Sequence, residues 1–60
     1  MKSSELHRLI LKNGWVKLRQ SGSHIVYIKD GRQSKPVPYH GSHEVGHKTE
    51  KEVKQELGLK

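Results

Sequence analysis

The sequence predicts an α+β fold in which two helices and three strands follow one another in the order α-β-β-β-α. Apolar residues recur at helical spacing near the N-terminus, β-favouring runs fill the middle of the chain, and a helix-capping pattern precedes the C-terminus. The dipeptide Asp30-Gly31, between two of the β-favouring runs, is typical of a hairpin turn. We therefore expect a three-stranded antiparallel sheet with both helices on one face and the other face open.

The first helix is predicted over residues 3–13. Ser3 or Ser4 is suited to accept a hydrogen bond from a free backbone N–H group at the helix start. One apolar stripe, at positions i, i+3 and i+4, consists of Leu6, Leu9 and Ile10. Asn13-Gly14 ends the helix because glycine tolerates the left-handed conformation that a helix C-terminus often needs.

The first two strands are predicted over residues 15–20 and 24–29. In the first, alternation turns Val16 and Leu18 toward the core and the intervening basic residues toward solvent. The second is almost entirely apolar, which is typical of a central strand, and residues 21–23 have the composition of a tight connection.

A third strand is predicted near residues 33–39, at the border of the sheet. Pro36 and Pro38 lie two residues apart, so both missing N–H groups fall on one side of the strand. Proline is tolerated there only if that side is an open edge. The central position therefore belongs to the second strand.

The second helix is predicted to begin after a polar loop over residues 40–48. Thr49 and Glu52 have the spacing of a capping box, in which each side chain bonds the other residue's backbone N–H. Val53 and Leu57 then form the buried face. Gly58 closes the helix, and Leu59 is placed to pack back on the last turn.

Length and composition restrict the protein's class. Sixty residues predict a single domain, 1–60. Twelve Lys and Arg against six acidic residues give a net charge of +6, which favours a polyanionic partner such as nucleic acid. The absence of cysteine excludes disulfides and thiolate metal sites. No run is long enough to span a membrane or resembles a signal peptide, so we expect a soluble cytoplasmic protein.

The strongest candidate for chemistry is His24, which follows a small turn formed by Gly22 and Ser23. An imidazole titrates near neutrality, so it can take a proton from a ribose 2′-hydroxyl or give one to a leaving oxygen. The small turn residues would let a phosphate approach their backbone N–H groups. Candidates for holding flanking phosphates on the same strands are Lys17, Arg19, Lys29, Arg32 and Lys35. By spacing alone, a structural histidine remains the alternative.

A second histidine cluster lies between residues 40 and 47. His43, Glu44 and His47 match the spacing of the zinc-protease motif, which requires one continuous helix. Gly46 interrupts that spacing within a predicted loop, so we interpret the match as chance and predict no metal site or cofactor. Adventitious metal binding by His40, His43 and His47 stays open.

The order of several short motifs resembles one known family over essentially the whole chain. These motifs are residues 1–5 (MKSSE), 13–15 (NGW), 22–24 (GSH), 37–40 (VPYH), 44–45 (EV) and 57–60 (LGLK). In this order and spacing they resemble HicA, the toxin of HicA–HicB toxin–antitoxin systems. His47 and the lack of a glycine just before Thr49 depart from common members, and neither departure touches His24.

The resemblance implies a fold similar to a double-stranded-RNA-binding domain and an activity as a ribosome-independent mRNA interferase. It also implies that His24 is the catalytic histidine and that a HicB-type antitoxin covers it. We expect metal-independent cleavage by attack of the 2′-hydroxyl on its own phosphate. His24 would be the general base or acid, and His40 is the nearest candidate for the second role, with a solvated loop histidine as the alternative interpretation of His40.

Three alternatives remain at this point. A non-catalytic RNA-binding module of the same fold would bind RNA without cutting it, since fold does not fix function. A protein-interaction module would use its basic face on an acidic partner. A metallohydrolase is the weakest of the three.

Overall fold

The computed structural model describes residues 1–60 and confirms the predicted order of elements. The third predicted strand is split into two short ones. The elements are α1 Ser3–Lys12, β1 Val16–Ser21, β2 His24–Lys29, β3 Arg32–Gln33, β4 Val37–Pro38 and α2 His47–Leu57.

The strand β2 is the centre of an antiparallel sheet. β1 pairs along one of its edges, and β3 and β4 pair one after the other along the opposite edge. The N–H of Tyr39 points inward and donates to Ser23 O at 2.6 Å. Since alternate residues face the same side, the nitrogens of Pro36 and Pro38 face away from β2, on the open edge as predicted.

Ser34 is the reason that the third strand breaks in two. Its N–H donates to Tyr27 O at 2.8 Å, but its side-chain hydroxyl, not a backbone carbonyl, accepts the N–H of Tyr27 at 2.9 Å. A buried serine thus replaces one carbonyl of the strand ladder. The backbone is free to bend between β3 and β4 without leaving Tyr27 unpaired.

Two turns join the three strands of the sheet's main path. Asp30 and Gly31 both have positive φ values, 50° and 79°, as the predicted two-residue hairpin requires. The connection between β1 and β2 is equally short, and Gly22 at its tip has a φ of 58°. Both turns leave β2 paired along its whole length.

The start of α1 differs from the prediction that Ser3 or Ser4 caps it. Lys2 is the capping residue, and its N–H donates to the Glu5 carboxylate at 2.9 Å. The N–H groups of Ser3 and Ser4 donate to the carbonyls of His43 and Gly41. The loop after β4 therefore satisfies the free N–H groups of the helix, which no local pattern can reveal.

The inward direction predicted for Val16 and Leu18 is wrong. Their side chains are 61% and 41% exposed. Val16 pairs with Ile28, which faces away from the helices, and the pairing register shifts between Lys17 and Arg19, which leaves Leu18 without a partner. A β-bulge of this kind breaks the period of two on which the prediction rested.

The predicted capping box of α2 is also wrong. The helix begins at His47 after Gly46, two residues before Thr49, and no side chain caps it. Its end agrees with the prediction: Gly58 has a left-handed φ of 62°, and the N–H of Leu59 donates to Lys54 O at 3.0 Å.

The core lies between the helices and one face of the sheet. It is formed by Leu6, Ile10, Trp15, Ile25, Tyr27, Val37 and Leu57. The Trp15 indole N–H donates to Leu57 O at 3.3 Å, which joins the entry of β1 to the end of α2. Neither helix is both long and apolar enough to cross a membrane.

The His24 turn and the helix-free face of the sheet

His24 is the first residue of β2 and is exposed to solvent. It lies between two neighbours, since its backbone pairs with Ser21 on β1 and with Pro38 on β4. Ile25 and Tyr27, which belong to the core, point toward the helices. By strand alternation the imidazole of His24 points the opposite way, onto the face that no helix covers.

We call this surface the helix-free face and define it by Val16, Arg19, His24, Val26 and Ile28. Val16 pairs with Ile28 and Arg19 pairs with Val26, and directly paired residues share a face. The face thus carries a histidine, a guanidinium and aliphatic side chains, of which Val16 is 61% exposed and Val26 only 6%. Leu18, on the bulge in β1, adds a further exposed apolar side chain.

The turn before His24 is held at both ends. Ser23 O accepts the N–H of Tyr39, and Gly22 O accepts the side-chain amide of Gln20 at 2.9 Å. A Cβ on Gly22 would meet nothing within 4 Å, so its positive φ, not a lack of space, makes glycine the suitable residue. We call residues 22–24 the His24 turn.

The structure places only one of the predicted phosphate-binding side chains beside His24. That side chain is Arg19. Lys17 pairs with Tyr27 and is therefore on the helix side of the sheet, where its ammonium group donates to Gln20 at 2.6 Å. Strand pairing brings Gly22, Ser23, Arg19 and His24 together and separates Lys17 from them.

The other three basic residues lie farther along the sheet. Lys29 pairs with Arg32 at the opposite end of β2 from His24. The Lys29 ammonium group is half-buried and donates to Asn13 O at 2.7 Å, so it closes the end of α1. Lys35 is exposed in the break between β3 and β4. None of these three positions adjoins the His24 turn.

His40 lies two residues beyond β4 and is exposed. Its backbone N–H donates to the hydroxyl of Ser3 at 3.0 Å. Since the preceding residue, Tyr39, bonds Ser23, the main chain of His40 passes beside the His24 turn. The side chains of His24 and His40 form no hydrogen bond within the protein, so both are free to contact a ligand.

The zinc-protease spacing has no helix to support it. His43 and Glu44 lie in the loop before α2, Gly46 precedes the helix, and only His47 belongs to it. The motif needs both histidines on one helix face, and that condition is not met. No group of three or more His, Asp or Glu side chains is close enough to hold a metal ion.

Sequence reasoning missed His7, which is 5% exposed and lies on the helix side of the sheet. One ring nitrogen, Nε2, donates to Pro38 O at 2.8 Å, and the hydroxyl of Tyr27 donates to the other, Nδ1, at 2.6 Å. Burial lowers the pKa of His7, and the hydrogen bond to Pro38 opposes this only in part. The available signal was a polar residue inside the apolar stripe of α1, whose buried members are Ser3, Leu6, His7 and Ile10.

Comparison with known proteins identifies one family. Residues 3–59 match a family described as the HicA toxin of bacterial toxin-antitoxin. No curated protein and no solved structure matches the chain. The matched range includes the His24 turn, the helix-free face and both helices.

Proposed function

The chain belongs to the HicA family of bacterial toxins, and on this basis we propose that it is an mRNA interferase that cleaves RNA at His24 without a metal ion. The observation that carries the proposal is the exposed imidazole at the end of the central strand of a +6 protein. A histidine with no partner inside the protein is free to exchange a proton with a bound substrate. Neither a ribosome nor a cofactor is needed for such a step.

The proposed reaction is an internal transfer within the RNA. The 2′-hydroxyl oxygen forms a bond to the adjacent phosphorus, and the bond from phosphorus to the 5′-oxygen breaks. The proton of the 2′-hydroxyl passes to a base, and an acid supplies a proton to the departing 5′-oxygen. The products are a 2′,3′-cyclic phosphate and a 5′-hydroxyl. His24 performs one of the two proton transfers, typically worth about 10²–10⁴-fold, and His40 is our candidate for the other.

RNA contacts are proposed to centre on the His24 turn. The backbone of Gly22 and Ser23 is exposed and open to a phosphate, and Arg19 lies on the same face as the imidazole. A guanidinium binds phosphate through two parallel hydrogen bonds. Sequence-independent attraction at a distance is assigned to the remaining cationic candidates, namely Lys17, Lys29, Arg32 and Lys35.

A HicB-type antitoxin is the proposed protein partner, and we place it over the helix-free face. Val16 and Leu18 expose apolar side chains on β1, the strand that pairs with β2, where RNA phosphates gain nothing from them. Exposed aliphatic groups rimmed by charge are typical of protein–protein contacts. A partner seated there would cover His24 and block the substrate.

A second candidate function is RNA binding without cleavage. The observation that favours it is the unpartnered ring of His24, because an efficient catalytic base is often oriented by a third group. Such a module would bind RNA equally well after loss of the imidazole and would leave the RNA intact.

Incubation of purified protein with a long unstructured RNA, in parallel lanes with and without EDTA, separates the two functions. We expect the parent to cleave, His24→Ala to bind but not cleave, and His40→Ala, a matched removal of one imidazole, to cleave more slowly. Retained binding with intact RNA in every lane would support the second function, RNA binding without cleavage. Cleavage that stops with EDTA would contradict the metal-free mechanism.

A further inference from the structure

We propose that His7 is a positioning residue that holds the His24 turn in place through the peptide group between Pro38 and Tyr39. The inference deepens the proposed function and rests on it, because it assumes that the placement of His24 matters for RNA cleavage. His7 itself is buried on the helix side of the sheet and does not contact the substrate.

A single peptide group connects His7 to the turn. Its carbonyl, Pro38 O, accepts a hydrogen bond from His7 Nε2 at 2.8 Å. Its N–H, that of Tyr39, donates to Ser23 O at 2.6 Å. Because a peptide group is planar and rigid, the position of its oxygen fixes the direction of its N–H. Each of the two hydrogen bonds also polarises the group and strengthens the other.

The second ring nitrogen of His7 fixes the imidazole against β2. Pro38 O can only accept, so Nε2 carries the hydrogen and the neutral ring presents Nδ1 as an acceptor to the Tyr27 hydroxyl. The ring of Tyr39 packs edge-on against the imidazole, with centroids 5.0 Å apart. His7 on α1 thereby bridges β2, through Tyr27, and β4, through Pro38.

The identity of residue 7 follows from this bridge. An aliphatic side chain would complete the apolar stripe of α1 and pack in the same volume. It would leave two buried polar groups, Pro38 O and the Tyr27 hydroxyl, without the partners that His7 supplies. The only other contact to Pro38 O is the hydroxyl of Ser3, at 3.5 Å. Histidine is the side chain that reaches both groups at once from one helix position.

Positioning is distinguishable from a general contribution to stability, because the two bonds of His7 can be removed separately. His7→Gln places an amide N–H near the Nε2 position and keeps the donor to Pro38. His7→Asn places its amide near Nδ1, keeps a partner for Tyr27 and cannot reach Pro38. Tyr27→Phe removes the hydroxyl and leaves the His7–Pro38 bond. Each variant loses one buried hydrogen bond, but only His7→Asn loses the bond to the peptide group.

The test measures kcat and KM for RNA cleavage and the hydrogen-exchange rate of the Tyr39 amide in all three variants, after urea unfolding has shown each to be folded. We expect His7→Asn to lower kcat by about 10- to 100-fold with little change in KM, since a small misplacement of a reacting group has effects of this size. His7→Gln and Tyr27→Phe should stay near the parent. Tyr39 exchange should accelerate only in His7→Asn. If His7→Asn does not fold, the double variant His7→Phe/Tyr27→Phe replaces it and is compared with Tyr27→Phe, because these two proteins differ in the donor to Pro38.

Two results would overturn the inference. One is a parental kcat and Tyr39 exchange rate in His7→Asn, and the other is an equal fall of kcat in His7→Asn and Tyr27→Phe, which would make the role merely structural. If the parent cleaves no RNA, the proposed function fails by itself. The exchange rates of the Tyr39 amide then still decide whether His7 holds the peptide group.

Discussion

Among the five histidines, His7 alone is buried, and its environment favours the uncharged ring. Tyr27 from β2 and Tyr39 from the segment after β4 are the titratable groups that face it, and no ion pair or hydrogen bond joins it to a charged side chain. Burial is the main cause that lowers its pKa from 6.5 in the folded protein. In the unfolded chain the ring regains water and its ordinary pKa.

This shift makes stability dependent on pH with a definite sign. Below pH 6.5 the unfolded chain binds a proton at His7 before the folded protein does, so the free energy of unfolding falls as pH decreases. The contribution is complete above 6.5 and is lost as pH falls toward the lowered pKa of the folded state. We expect urea unfolding of the parent and His7→Gln between about pH 7.5 and 5 to give a steeper acid decline for the parent. Parallel declines would contradict this assignment.

At the scale of elements, the direction of a strand side chain decides which valines contribute to stability. Val16→Thr and Val37→Thr are the same chemical change at positions that are 61% and 4% exposed. We expect Val16→Thr to alter the free energy of unfolding by less than about 0.5 kcal/mol. Val37→Thr buries a hydroxyl in the core and should cost about 1–3 kcal/mol. Equal losses in urea unfolding would show that Val16 points inward after all.

The two ends of α2 give a second matched pair. Thr49 lies inside the helix and caps nothing, so Thr49→Ala should leave stability unchanged or raise it slightly, because alanine has the higher helix propensity. Gly58→Ala forces a side chain into a left-handed conformation and should cost about 1 kcal/mol. If thermal or urea unfolding showed that Thr49→Ala lowers the free energy of unfolding by about 1 kcal/mol, Thr49 would be the capping residue after all.

Local patterns predicted the elements whose causes are local. Helical spacing located α1, Asp30-Gly31 fixed the hairpin, Pro36 and Pro38 identified the open edge, and Gly58 marked the end of α2. The errors occurred where distant residues decide. The capping of α1 depends on carbonyls about forty residues away, and the break at Ser34 depends on Tyr27 across the sheet.

The candidate site shows the same division. His24 and its turn were visible in the sequence because a small turn before a β-favouring run is a local feature. The side of the sheet on which each cationic side chain lies was not visible in the sequence. The bulge at Leu18 places Lys17 and Arg19 on opposite faces, whereas regular alternation would place them on the same face. The hydrogen bonds of His7 join three elements that are distant in the sequence. The only signal of them in the sequence is a polar residue within the apolar stripe of α1.

At the scale of the whole molecule, a charge of +6 on 60 residues favours encounters with any polyanion, but in the proposed RNA complex position decides which charges contact phosphate. Arg19→Gln and Arg8→Gln each remove one charge, the first from the helix-free face and the second from the exposed side of α1. We expect Arg19→Gln to reduce the slope of log affinity against log salt by about 0.7, the value for one phosphate contact to a single strand. Arg8→Gln should leave the slope near the parent's.

RNA binding measured by fluorescence anisotropy across a salt series provides both slopes. Equal slopes for Arg19→Gln and Arg8→Gln would show that the helix-free face does not bind the RNA backbone. A larger change of the slope in Arg8→Gln than in Arg19→Gln would show that RNA binds on the helix side of the protein instead.

The most direct test of the central claim is the chemistry of the RNA ends produced by the purified protein in EDTA, read by mass spectrometry. We predict fragments with 2′,3′-cyclic phosphate and 5′-hydroxyl ends from the parent, and none from His24→Ala at equal RNA occupancy. Fragments with 3′-hydroxyl and 5′-phosphate ends would require water, not the ribose hydroxyl, as the attacking group. Such ends, or RNA that stays intact with the parent, would contradict cleavage by His24 as described.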